Sequence, residues 1–112
     1  ETTLFGGYNT NVNDFNFLEL ENTTGATITA KVTAKTNSGT TVIDAQEVEI
    51  DAGERADVDI HQAAGTDVFG PIIVTHDGPL GALQGRTSLY TGDVTDFNLN
   101  GQTPLQSREQ SY

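Results

Sequence analysis

Ile28-Thr29-Ala30-Lys31-Val32-Thr33-Ala34-Lys35 alternates apolar and polar residues without a break. That period of two marks a strand with one face in a core and the other in water. Asn22-Thr23-Thr24-Gly25 before it and Thr36-Asn37-Ser38-Gly39-Thr40 after it are turn-forming runs, rich in residues that tolerate left-handed backbone. On the upstream side, Leu18 and Leu20 share one face between Asn16 and Asn22, and Phe15, Phe17, Glu19 and Glu21 take the other. Downstream, Thr41–Ile50 reads as a strand that buries Val48 and Ile50 and shows Glu47 and Glu49. The chain then returns through Ala56, Val58 and Ile60, with Asp57 and Asp59 opposite.

Setting Ile50 against Ala56 and Val48 against Val58 keeps both faces in character and predicts a hairpin between these two strands. The same register stacks Glu49 on Asp57 and Glu47 on Asp59. Lys31 and Lys35, a cation, a basic partner or the solvent would have to offset that repulsion. Beyond a loop or single helical turn at 61–67, Ile72-Ile73-Val74-Thr75 reads as a strand buried on both sides, and Asp77-Gly78-Pro79 is a turn. Residues 80–83 and 87–90 give two short strands, or one strand broken at Gly85. The fold class is all-β: an antiparallel β-sandwich of seven to nine short strands, immunoglobulin-like. Residues 1–100 form the single domain and 101–112 a polar C-terminal tail or linker.

The opening pattern returns near the other end. Thr2-Thr3-Leu4-Phe5 followed by Asp14-Phe15-Asn16-Phe17 is matched by Thr87-Ser88-Leu89-Tyr90 followed by Asp96-Phe97-Asn98-Leu99. Such a repeat suggests a unit of a tandem array, or a subunit whose two ends do equivalent jobs.

Composition narrows the function. Sixteen acidic residues against five basic ones give a net charge of −11, and a surface of that sign repels DNA, RNA and anionic membranes. Nucleic-acid partners and membrane insertion are therefore excluded. Cysteine, methionine and tryptophan are absent, so no disulfide or thiolate site exists and few side chains oxidise easily, which suits an extracellular or cell-surface setting. Glu1 does not open a signal peptide, so a secreted protein would be numbered after processing or inside a longer chain.

The segments Phe17-Leu18-Glu19-Leu20-Glu21-Asn22, Ile28–Lys35, Asp51-Ala52-Gly53 with the strand after it, and Asp77-Gly78-Pro79-Leu80 running on to Ser88-Leu89-Tyr90 follow one another in a telling order. In that order the chain resembles the small β-sandwich domains of bacterial secreted and surface proteins, and more loosely the sensory-rhodopsin-transducer sandwich. The resemblance implies a non-enzymatic module for assembly, display or ligand binding, and it transfers no site residues.

Nothing in the sequence builds a catalytic centre. No Gly-x-Ser-x-Gly elbow occurs, and His61 and His76 sit in a polar loop and at a strand-to-turn step. Glu47, Glu49, Asp57 and Asp59 lie on an open polar face where no single carboxyl is set apart as an acid. No cofactor is expected. Calcium is the one cation the Asn and Asp residues of 9–14 and 93–96 could ligate, but turn formation accounts for both runs and neither has a dedicated spacing. Asn22-Thr23-Thr24 fits the glycosylation acceptor pattern.

The aromatic residues carry the functional expectation. Leu4, Phe5, Tyr8, Phe15, Phe17, Leu89, Tyr90 and Phe97 form the candidate interface. In that scheme a terminal segment adds to the sheet of a neighbouring copy, and these side chains fill its pockets. The expected partners are other copies of the chain, in a homo-oligomer or polymer such as a filament or surface layer. The alternative is an adhesion module that uses Tyr8, Phe15 or Tyr90 to bind a glycan or a cell-surface protein.

Overall fold

The computed structural model describes residues 2–10, 14–65, 68–93 and 96–107. Within them the chain runs β1 (Thr2–Asn9), β2 (Asp14–Asn22), β3 (Ile28–Lys35), β4 (Thr41–Ile50), β5 (Arg55–Asp59), a one-turn helix α1 (Ile60–Ala64), β6 (Phe69–His76), β7 (Leu83–Asp93), β8 (Asp96–Pro104) and β9 (Gln106–Ser107). These strands form the expected antiparallel sandwich, with one sheet in the order β4-β3-β6-β1-β9 and the other in the order β5-β2-β7-β8. Pairing is nested: β3 with β4, β2 with β5 and β1 with β6. It is as if one long hairpin had been folded over, with β3–β6 and β2–β7 closing it in Greek-key fashion.

The alternation of β3 survives intact: Ile28, Ala30, Val32 and Ala34 are buried while the residues between them are half-buried or exposed. Leu18 and Leu20 of β2 meet this face from the other sheet, with no exposure at all. On β4 the pattern changes phase, since Ile43 and Ile50 are both buried although seven positions apart. A bulge explains it. Between Val32 and Ala34 the partner advances from Gln46 to Ile43, and Ala45 takes the positive φ of 47° that the extra residue requires.

The predicted β4–β5 hairpin does not form. β4 pairs with β3, whereas β5 pairs with β2 in the other sheet, so the turn at 51–54 carries the chain across the sandwich. A register that satisfies both faces within a pair is therefore not evidence of pairing, because any two amphipathic strands pass that test. Glu47 instead lies opposite Lys31 and Glu49 opposite Thr29, which removes the stacked carboxylates. Residues 83–93 form one continuous strand through Gly85.

Nor does the sandwich end at residue 100. β8 runs to Pro104, and β9 then joins the other sheet beside Leu4 and Phe5. Leu105 makes that crossing, its N–H donating to the Gly85 carbonyl at 2.8 Å. Its side chain fills the space left by two glycines, since a Cβ at Gly6 would lie 2.7 Å from Leu105 Cγ and one at Gly85 3.3 Å from Leu105 Cδ2. One leucine thus joins β1 of one sheet to β7 of the other.

Candidate functional site

β1 has one flank fully paired and one that, among the described residues, strand pairing covers only in part. Its eight residues all pair with β6, but among the described residues β9 covers only Leu4 and Phe5 on the other side. Next to that cover come Gly6 and Gly7. At Gly7, which is exposed, a Cβ would meet nothing closer than the Gly70 carbonyl oxygen at 3.5 Å, so its neighbours do not crowd it. β1 is held at its far end by Asn16, which is buried: its Oδ1 accepts from the Asn9 N–H at 2.8 Å and its Nδ2 donates to the Ser88 carbonyl at 3.0 Å.

The aromatic residues expected to form one interface are divided between the sheets. Leu4 and Tyr8 are each only 5% exposed and belong to the core, so they have no surface to offer a neighbour. Burial also raises the Tyr8 phenol above its ordinary value. Phe5 is half-buried on the outer face of the five-stranded sheet, opposite Ile73. Phe17 is half-buried on the outer face of the four-stranded sheet, opposite Ser88 and Asp59. In the backbone register Phe15 lies opposite Tyr90, Leu89 opposite Asn16, and Phe97 opposite Gly92; the side chains of Phe15, Leu89, Tyr90 and Phe97 lie outside the described residues.

The repeated motif also has two unlike settings. Its first copy is split between the sheets, on β1 and β2, while its second lies on β7 and β8, which are neighbours in one sheet. The two ends of the chain are thus not structural equivalents.

A charge cluster that the alternation alone did not reveal lies beside Phe17. Glu19 is 6% exposed although it is on an outer face. The Arg86 Nε donates to its Oε1 at 2.7 Å, and Arg55 approaches the same oxygen at 3.9 Å while also pairing with Asp57 at 3.3 Å. The register makes this possible by setting Glu19 between Arg86 and Asp57. Burial pushes the Glu19 carboxyl up, but hydrogen bonds from Arg86 and Ser88 and the charges of Arg86 and Arg55 outweigh it, so its pKa lies below the ordinary 4.5. A depressed folded pKa contributes stability that is present above the unfolded value and lost as the pH falls through the folded one. Glu19→Gln should therefore lose less stability than wild type as the pH falls below about 4.5, the check being the melting temperature measured across an acid titration. Arg86→Ala, which strands a buried carboxylate, should cost about 1–2 kcal/mol at neutral pH, the Arg being half-exposed. Equal acid profiles for wild type and Glu19→Gln would refute the assignment.

The remaining candidates are turn and cap chemistry. His76 Nδ1 accepts from the Gly78 N–H at 3.1 Å, and Asp77 Oδ1 accepts from the Thr29 N–H at 3.0 Å. Asp59 caps α1 by accepting from the Gln62 N–H. Asn22, the residue of the acceptor pattern, is 1% exposed and its amide nitrogen is committed to backbone carbonyls, so the folded chain presents no glycan acceptor there. Of the two calcium candidates, residues 11–13 and 94–95 lie outside the described residues. Among the described residues no group of three or more His, Asp or Glu could hold a metal.

Together these features define a two-sheet, all-β sandwich module. No family model matches the chain, and no curated protein matches it. The fold itself recurs in the crystal structure of Thermotoga maritima 1070, with a TM-score of 0.69 and 17% sequence identity over 93% of this chain and 91% of that one. At that identity the likeness is one of fold.

Proposed function

We propose that the chain is a non-enzymatic, extracellular structural module that associates with copies of itself along the flank of β1 at Gly6 and Gly7. The observation that carries this reading is the contrast between the sheet edges. β4, at one edge of the five-stranded sheet, is kinked by its bulge and carries exposed Asp44, Glu47 and Glu49. β5, at one edge of the other, is five residues long with exposed Arg55, Asp57 and Asp59. Charges, bulges and short strands are the usual means of keeping an edge from pairing. β1 has none of them at Gly6 and Gly7.

The mechanism differs from the sequence expectation in one respect. β1 is an integral strand of its own sheet, so it is not donated to a neighbour; a neighbour's strand adds beside it. Hydrogen–deuterium exchange tests this. The amide of Gly7, which alternates away from β6, should exchange about tenfold more slowly once nine-tenths of the chains are associated than in dilute solution. Concentration-independent exchange there, or a monomer mass by light scattering at every concentration, would refute it.

A further inference from the structure

His76 ends β6 on its inward face. It is 1% exposed, and its pairing partners on the two neighbouring strands, Thr2 of β1 and Ala30 of β3, are buried as well. Its Nδ1 accepts from the Gly78 N–H at 3.1 Å. A backbone N–H can only donate, so this ring nitrogen carries no proton and the imidazole is neutral. The Gly78 carbonyl in turn accepts from the Thr2 hydroxyl at 2.8 Å, which fastens the first residue of β1. On the other side Asp77 is tied to β3: its N–H donates to the Thr29 carbonyl at 3.2 Å, and its Oδ1 accepts from the Thr29 N–H at 3.0 Å. One residue of the turn is thus held by β3, and the next is held by an imidazole and by β1.

We infer that His76 is a pH-sensitive latch that keeps the 77–79 turn closed over the start of β1 only while its ring is neutral. Protonation makes Nδ1 a donor facing the Gly78 N–H, and two donors in a buried site lose the bond between them. The space around Gly78 is full, since a Cβ there would lie 3.0 Å from Ile28 Cδ1, 3.2 Å from Ala82 Cβ and 3.3 Å from His76 Nδ1. β6 is paired on both sides, so the turn gives way first, hinging at Asp77, and Thr2 loses its acceptor. Of the elements around the ring, β1 has no charged residue over Thr2–Asn9, and its titratable Tyr8 is at the far end, opposite Gly70. On β3, Lys31 and Lys35 alternate with buried Ala30 and Ala34 and so take the outer face. Leu20, Asn22 and Leu83, buried in the facing sheet, do not titrate. Asp77 gives its Oδ1 to Thr29, and Glu1 lies outside the described residues. The latch does not rest on the self-association proposed above.

Amide exchange read residue by residue in the full chain, corrected for the intrinsic rate at each pH, tests the latch. Between about pH 7.5 and about pH 5, a span that crosses the ordinary histidine value of about 6.5, protection of the wild-type Gly78 amide should fall about tenfold. The Thr2 side-chain chemical shifts should move with the same midpoint as the His76 ring. The amides of Val32 and Val74, buried and paired within the same sheet, should keep their protection, which marks a local opening. In His76→Asn, whose Oδ1 takes the place of Nδ1 and does not titrate, Gly78 and Thr2 should stay unchanged across the range. The Glu19 cluster acts below about pH 4.5, outside it. Constant Gly78 protection in wild type would overturn the latch, as would an equal fall in His76→Asn or a parallel fall at Val32 and Val74. Should the Asn variant not fold, the imidazole nitrogen spectrum of wild type at neutral pH decides: an unprotonated Nδ1 supports the latch and a protonated one overturns it.

Discussion

Gly70→Ala should lower the melting temperature by roughly 10–20 °C, the loss expected from about 3 kcal/mol in a domain of this size. Gly70 lies in β6 opposite Tyr8, where the turn after β3 passes directly over it. A Cβ there would overlap the carbonyl oxygen of Lys35 and sit 2.9 Å from the carbonyl carbons of Lys35 and Thr36. These are backbone atoms. A flexible side chain could rotate away, but here either the β3 turn or β6 must move. Moving the turn breaks the hydrogen bond from the Asn37 N–H to the Phe69 carbonyl, 2.8 Å long. Moving β6 disturbs its pairing with both β1 and β3. Overpacking usually costs about 1–3 kcal/mol, and rigid surroundings place this case at the upper end. Gly7→Ala is the matching control, because its Cβ would lie 3.5 Å from the nearest atom, an ordinary contact. It should melt within about 3 °C of wild type. Equal melting temperatures for the two variants would contradict the packing described at Gly70.

Asn22→Ala should cost about 2–4 kcal/mol in chemical denaturation, through the buried backbone groups it leaves without partners. Asn22 ends β2 at the corner of the sandwich and is 1% exposed. Its Nδ2 donates to the carbonyls of Ala26 at 2.7 Å, Ile50 at 2.9 Å and Asp51 at 3.2 Å. Its Oδ1 accepts from the Thr24 N–H at 2.9 Å and the Thr24 hydroxyl at 2.7 Å. One side chain therefore ties the end of a strand in one sheet to the end of β4 in the other and fixes the turn between β2 and β3. Asn22→Asp replaces the donors with a carboxylate facing carbonyl oxygens, which raises that group's folded pKa. Its deficit is then largest above the ordinary carboxyl range and shrinks as the pH falls through it, opposite in sign to the contribution of Glu19. An Asp variant as stable as wild type at neutral pH would show that the carbonyls do not depend on this amide.

Strand positions were legible wherever one face alone is buried. Ile28–Lys35 and the Leu18 and Leu20 pair announce themselves by alternation, because a strand between core and water has no other way to satisfy both sides. The turns at 36–40 and 77–79 were legible for a related reason, since their residues suit the required backbone. Legibility failed where the outcome depends on a distant strand. The acids of β4 and β5 suit a hairpin locally, yet each strand found its partner elsewhere, Lys31 beside Glu47 and Glu21 beside Arg55. The Glu19 cluster was hidden for the same reason, because Arg86 is 67 residues away in the chain.

The sequence by itself determined the class of fold, the approximate strands, the acidic charge and the lack of any thiol chemistry, all of which follow from composition and period. Only the tertiary structure decided which strands pair, that Leu4 and Tyr8 are core, and that 101–107 closes the sandwich. Periodicity specifies which side of a strand is buried. It carries no information about which neighbour buries it, and that choice is made by contacts between residues far apart in the chain.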